Sequence, residues 1–250
     1  MATDLRYPAV ARAALDHIEA TQLDNIDAAA RIVVDAFSTG GILQAYGTGH
    51  SRIVTLELAG RAGGLANVGM LAVKDLVMFG GAAPTEILDP THERDSGLAR
   101  RIYDLALPQP QDVFLIVSNS GINGSVVEMA RLARAREHPI IAITSVLHTA
   151  SVPSRDQHGG RLIDLADIVI DNNAPPGDAA IQLRPGMAIG AISSLTGVYI
   201  AQLLTERICH LMLTDKVDPP IHLSANLPNG DAHNAALYER YRERVRTIEP

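Results

Sequence analysis

At 250 residues the chain is long enough to bury a sizeable core. Its 47% hydrophobic residues, with no Trp and few other aromatics, suit β-branched strands layered against alanine-rich helices. A formal net charge of -7 with no basic cluster excludes nucleic acid as a partner. The single cysteine, Cys209, excludes an intrachain disulfide framework and fits a reducing compartment; its apolar helical setting reads as that of a buried structural thiol. The N-terminus has no basic-then-apolar signal layout. The most apolar stretch, Met187 to Leu204, carries Ser193, Ser194, Thr196, Tyr199 and Gln202, so it reads as a core helix and not a membrane span. A cytoplasmic protein is expected.

Two helices open the chain, Tyr7 to Leu23 with Pro8 in its first turn, then one capped by Asp24 and ended by Gly40-Gly41. Strands and helices then alternate: strand 42–46, helix 51–62, strand 66–71, helix 95–105, strand 112–117, helix 124–137 and strand 140–144. A further strand at Ile168 to Ile170, a long helix over 187–212 and a charged helix over 232–247 complete the pattern. The alternating Arg240, Arg242, Arg244 and Arg246 read as a solvated face of that last helix. Strands alternating with helices predict an α/β fold with a parallel sheet covered on both faces. Residues 72–94, 145–161 and 215–234 do not fit the alternation; long irregular stretches in a compact domain are usually functional or mobile.

Two loops carry the strongest chemical signal. Gly47-Thr48-Gly49-His50-Ser51 follows the first strand, and Ser118-Asn119-Ser120-Gly121-Ile122-Asn123-Gly124-Ser125 follows the third. Glycine lets backbone approach an anion closely, helix N-termini add free N–H groups, and the hydroxyls add donors. The pair specifies a phosphate site without a cation. A dinucleotide fingerprint is excluded because the third glycine is missing, and no G-x-x-x-x-G-K-[ST] occurs. A small phosphorylated ligand, a sugar phosphate, fits what remains.

Three further residues draw attention as acid–base candidates. Glu57 lies nearly two helical turns past Ser51 between apolar neighbours, either as a partly desolvated base or as a partner of Arg61 at i+4. Glu93 stands in Thr91-His92-Glu93-Arg94-Asp95, just before a helix, where an acid also favours the helix dipole. His233 follows Asp231, a candidate N-cap, in the first turn of the last helix. His50 lies within the first loop, either touching ligand or filling space. Nine histidines form no tight ligand spacing, so no metal is expected.

These residues resemble a known family. Gly47-Thr48-Gly49-His50-Ser51 with Ser118-Asn119-Ser120-Gly121 is similar to the sugar isomerase (SIS) domain of phosphosugar-binding proteins. Arg61 to Val68, Ser145 to His148 and Gly230 to Leu237 extend the likeness, over nearly the whole chain, to stand-alone members described as phosphoheptose isomerase-like. The resemblance implies one SIS domain over 1–250: a flavodoxin-like, doubly wound parallel sheet of about five strands. A helical extension over about 1–40 precedes it and a helix over about 232–247 follows. It implies a homodimer or homotetramer, a phosphorylated sugar as ligand, and no cofactor, with zinc left open because some phosphoheptose isomerases are metal-assisted.

It further implies a phosphate grip by Ser51, Ser118 and Ser120, with backbone near Gly47, Gly49, Asn119 and Gly121. Asn123 replaces the usual Ser or Thr of the turn and keeps an amide donor, with Ser125 nearby as a substitute. Glu57 becomes the base at C2, Glu93 a second acid, and His233, reaching a neighbouring subunit, the group that opens the sugar ring. The expected activity is aldose–ketose isomerisation of a sugar phosphate. A lyase resembling N-acetylmuramic acid 6-phosphate etherases and a non-catalytic phosphosugar sensor remain as alternatives.

Overall fold

The computed structural model describes residues 5–89 and 91–248. Helices α1 (Tyr7–Thr21) and α2 (Leu23–Ser38) lead into strand β1 (Leu43–Gly47), a 3₁₀ turn at Gly49–Ser51 and helix α3 (Arg52–Leu58). Strand β2 (Val68–Leu71), the short helix α4 (Asp75–Met78), two 3₁₀ turns at Pro84–Ile87 and His92–Arg94, and helix α5 (Ser96–Ala106) follow. Strand β3 (Val113–Val117), helix α6 (Gly124–Ala135), strand β4 (Ile140–Thr144), helix α7 (Val146–Ser151) and strand β5 (Ile168–Asp171) complete the alternating part. The chain then forms a hairpin, β6 (Ala179–Arg184) and β7 (Met187–Ala191), a long helix α8 (Ser193–Thr214), and α9 (Gly230–Tyr241).

Strands β1 to β5 make one all-parallel sheet in the order β2-β1-β3-β4-β5. This is the flavodoxin-like order, whose reversal of direction lies between β1 and β3, where open α/β sheets bind ligands at the strands' carboxyl ends. The three central strands are buried along their whole length, so they are written in mainly apolar residues without a polar alternation, Gln44 of β1 being satisfied by the buried Asp112 carboxylate. Leu43, Ala45, Leu115, Val117 and Ile141 face a core built with Val33 of α2, Leu58 of α3 and Leu204 of α8. Tyr46, Phe114, Ile116 and Ala142 face the opposite core, closed by Leu98 and Ile102 of α5 and Met129 of α6.

The expected helix over 187–212 is corrected at its start. Met187–Ala191 is a strand paired antiparallel with Ala179–Arg184, and the helix begins at Ser193. Pro185-Gly186, with Gly186 at φ 76°, supplies the turn chemistry for this reversal. Two caps also differ. Asp24 lies inside the first turn of α2, after Gln22, and Asp231 lies inside the first turn of α9, after Asn229 at φ 66°. The basic run near the end is not a uniformly solvated face, because Arg244 donates to the buried Asp112 carboxylate at 2.6 Å and Arg246 stacks over the Phe79 ring. Cys209 is half-buried at the edge of the α8 core, where burial pushes its thiol up. Among the described residues, no helix is long and apolar enough to cross a membrane.

Candidate functional site

The two glycine- and hydroxyl-rich loops meet at the carboxyl ends of β1 and β3. After β1 the chain passes through Thr48 in extended conformation and turns at Gly49–Ser51 into α3. After β3 the backbone folds tightly enough for Gly121 N–H to donate to Ser118 Oγ at 3.1 Å. That turn is pinned from the β4 side: Ser145 N–H donates to the Asn119 carbonyl at 3.1 Å, and Leu162 N–H to the Gly121 carbonyl at 2.8 Å. Thr149 Oγ1 donates to the Ser120 carbonyl. With its carbonyls committed elsewhere, the turn presents hydroxyls and the unpaired N–H groups of the first turn of α6.

Between the loops lies a cavity of about 430 Å³ lined by Thr48, Gly49, His50, Ser51, Glu93, Ser118, Asn119, Ser120 and Asn123, and closed by His148, Asp178, Ala191, Ser193 and Ser194. Lysine and arginine are absent from this lining, so an anion here is held by hydroxyls, amides and a helix N-terminus, as the sequence pattern anticipates. The 3₁₀ turn His92–Arg94 carries Glu93 into the cavity. Its Oε2 accepts from Thr48 Oγ1 at 3.0 Å and its Oε1 from Asn123 Nδ2 at 2.8 Å. Ser125 Oγ donates to the Glu93 carbonyl at 2.7 Å and fixes the backbone beneath it. One carboxylate is thus tied to both phosphate loops. Behind it the Tyr46 hydroxyl is fully buried near Ser125 and finds no well-formed hydrogen bond. Burial first, and then the Glu93 charge, push its phenol far above the ordinary range and keep it neutral.

The opposite wall comes from segments that the sequence pattern left unassigned. Asp178 Oδ1 accepts from the N–H groups of Ile192 at 3.0 Å and Ser193 at 2.7 Å, and its Oδ2 accepts from Ser193 Oγ at 2.7 Å. The hairpin's first residues therefore cap the start of α8. His148 Nδ1 accepts from Gly177 N–H at 3.2 Å, which assigns the ring's N–H donor to Nε2.

The expected residues divide. Gly49, His50, Ser51, Glu93, Ser118, Asn119, Ser120 and Asn123 line one cavity, although Asn123 spends one amide proton on Glu93 and not on an anion. Gly47, Gly121 and Ser125 lie just behind, shaping the loops. Glu57 does not line the cavity: it pairs with Arg61 and accepts from Gln202 of α8, six residues or about 9 Å along the helix from Ser51. His233 is farther still. Its Nε2 bonds the Ile221 carbonyl at 2.8 Å, and Ile221 bridges Leu65 ahead of β2, at the end of the sheet opposite the cavity. Thr48, within the first loop, and His148, within the irregular 145–161 stretch, were not named as site residues; Asp178, Ser193 and Ser194 were not anticipated, the hint there being the Pro-Pro-Gly-Asp run ending at Asp178. Among the described residues no group of three or more His, Cys, Asp or Glu is arranged to hold a metal ion.

A flavodoxin-like sheet with a cavity lined by hydroxyls, amides and the Glu93 and Asp178 carboxylates at its switch point defines the class: an α/β protein with a polar, ligand-sized site at the strands' carboxyl ends. A family model described as SIS domain matches residues 6–145, and the chain belongs to that family. It is 34% identical over 232 residues to a protein named UPF0309 from Listeria monocytogenes serotype 4b, with 92% of each chain covered. It is 35% identical over 235 residues to another from Geobacillus kaustophilus, again with 92% of each covered. Among solved structures it is similar to a phosphoheptose isomerase from Neisseria gonorrhoeae, at a TM-score of 0.52 and 18% identity over 80% of this chain and 93% of that one. That last likeness is one of fold.

Proposed function

We propose that the chain is a sugar-phosphate isomerase that seats its ligand's phosphate on the Ser51, Ser118 and Ser120 hydroxyls and the N-terminus of α6. The observation that carries the reading is the Glu93 carboxylate, held by Thr48 and Asn123 in the same cavity as that seat. A phosphate fixed at one end of an open-chain sugar places a carbonyl and its neighbouring carbon a few ångströms away. The carboxylate takes the proton from C2, the C1=O bond opens to an enediol, and the same carboxylate returns the proton to C1 while the O2 proton passes to O1. The Nε2–H of His148 is the donor nearest in kind for stabilising the charge on oxygen during that transfer.

Glu57 and His233, which the family resemblance assigns to proton transfer and ring opening, take part in this proposal only from a neighbouring subunit, because each lies outside its own chain's cavity. The reading therefore includes a homo-oligomer. It is supported by apolar side chains left exposed on the hairpin (Leu183, Met187 and Ile189) and on α2 and α8 (Leu23 and Leu213). The test is a panel of phosphorylated aldoses and ketoses incubated in heavy water. Deuterium should enter at C2 with the natural protein, and Glu93→Gln should lower the exchange rate by about 10²–10⁴ while leaving binding in place. Exchange at the natural rate in Glu93→Gln removes the carboxylate from the mechanism.

A further inference from the structure

The Glu93 carboxylate has a second side. Beyond the Thr48–Glu93 hydrogen bond lies another cavity of about 240 Å³ that shares Thr48, Gly49 and Glu93 with the first and continues over Arg52, Asp89 and His92. The carboxylates in this space are already engaged as acceptors. Glu93 serves Thr48 and Asn123, and Asp89 Oδ1 accepts from Thr91 N–H at 2.8 Å and Thr91 Oγ1 at 2.7 Å. The donors are not. Among the described residues the Arg52 guanidinium makes no hydrogen bond or ion pair, and His92 leaves Nε2 buried without a partner.

We propose that this second cavity binds a second anionic, acceptor-rich group of the same phosphorylated sugar, a carboxylate or a second phosphate, carried on a substituent away from the first phosphate. The proposal rests on the phosphosugar reading of the first cavity and narrows it to doubly anionic substrates. The geometry supplies the reason: a guanidinium offers five N–H donors in a planar fork that matches an anion's oxygens, and here that fork is unspent. The two cavities meet at Glu93, so a sugar lying across both passes C2 alongside the carboxylate. Non-specific attraction does not account for such a preference, since the chain's formal net charge is -7.

The experiment is calorimetric titration of the intact protein with fructose 6-phosphate, 6-phosphogluconate, fructose 1,6-bisphosphate and, as a neutral-substituent control, N-acetylglucosamine 6-phosphate. At least one of the two doubly anionic compounds should bind about tenfold or more tightly than fructose 6-phosphate. Which of the two gains tells carboxylate from phosphate. Arg52→Met keeps the stem and removes the charge; it should erase that advantage and leave fructose 6-phosphate unchanged. Equal affinities across the panel, a preference for the acetamido sugar, or an equal loss for every ligand in Arg52→Met each overturn the proposal while leaving the phosphosugar reading standing. Failure of every compound to bind removes both.

Discussion

Gly124 opens α6 immediately behind the phosphate turn, and the space where its side chain would stand is filled by backbone. A Cβ built there lies 2.3 Å from the Arg94 carbonyl oxygen and 3.2 Å from its carbon. The obstacle is the 3₁₀ turn that carries Glu93, so no side-chain rotation relieves it. Gly124→Ala must therefore drive that turn away by about 0.7 Å to reach even a 3.0 Å contact, stretching the Ser125-to-Glu93 and Asn123-to-Glu93 hydrogen bonds of 2.7 and 2.8 Å. Overpacking of this kind costs about 1–3 kcal/mol, and a displacement approaching 1 Å at a reacting group lowers turnover by up to about 10²-fold. The Ser118 and Ser120 hydroxyls stand ahead of the displaced contact in the chain, so affinity for a phosphorylated ligand should fall less than turnover. Urea unfolding and ligand titration of Gly124→Ala, beside its exchange rate in heavy water, separate the two effects. Natural stability together with natural turnover would refute the reasoning that this contact positions Glu93.

Further expectations follow from charges buried away from the cavity. Arg131 grips Asp156 through two hydrogen bonds of 2.8 and 2.6 Å, and this contact holds the carboxyl at about 2, below its ordinary 3.8. A lowered carboxyl stabilises the fold above pH 3.8 and loses that contribution as pH falls through 2, so on the order of 2 kcal/mol should disappear across that window. Acid unfolding of Asp156→Asn should lack that step. Arg244→Met should leave the Asp112 carboxylate, which also accepts from Ile42 N–H, Gln44 Nε2 and Gln109 N–H, without its cation. A loss of about 1.5–3 kcal/mol in urea is expected; an unchanged midpoint argues that the C-terminal arginines are merely solvated. If Glu57 acts across a subunit boundary, Glu57→Gln and Glu93→Gln proteins, each weak alone, should regain activity when unfolded and refolded together. No recovery removes Glu57 from the partner's cavity.

The alternation of apolar runs with helical patterns made β1, β3 and β4 legible, because strands buried on both faces are written mainly in apolar residues. The loops after β1 and β3 were legible for a different reason, namely that glycine and hydroxyl residues at a strand end have little other use in such number. The hairpin was not. Met187–Ala191 is as apolar as the helix that follows, and in a short apolar run periodicity does not separate strand from helix. Pro185-Gly186 was the available signal. That misreading placed Ser193 and Ser194 inside a helix, when they stand at its start on the cavity wall. Asp178 was out of reach for a related reason: its task is to cap a helix that begins fifteen positions later in the sequence, a contact set by the hairpin's return. The role of Asn123 also depended on tertiary placement, since only the position of Glu93 decides whether that amide meets a carboxylate or an anion.

The central claim is that the loops after β1 and β3 hold a phosphate. The most direct measurement is thermal-shift titration of the natural protein and Ser120→Ala with paired sugars and sugar phosphates, with inorganic phosphate alongside. Phosphorylated ligands should raise the melting temperature where their unphosphorylated counterparts do not. Ser120→Ala should weaken that binding about tenfold, as expected for one hydrogen bond to a charged group. Equal shifts for phosphorylated and unphosphorylated sugars, or affinity unchanged in Ser120→Ala, would contradict the account.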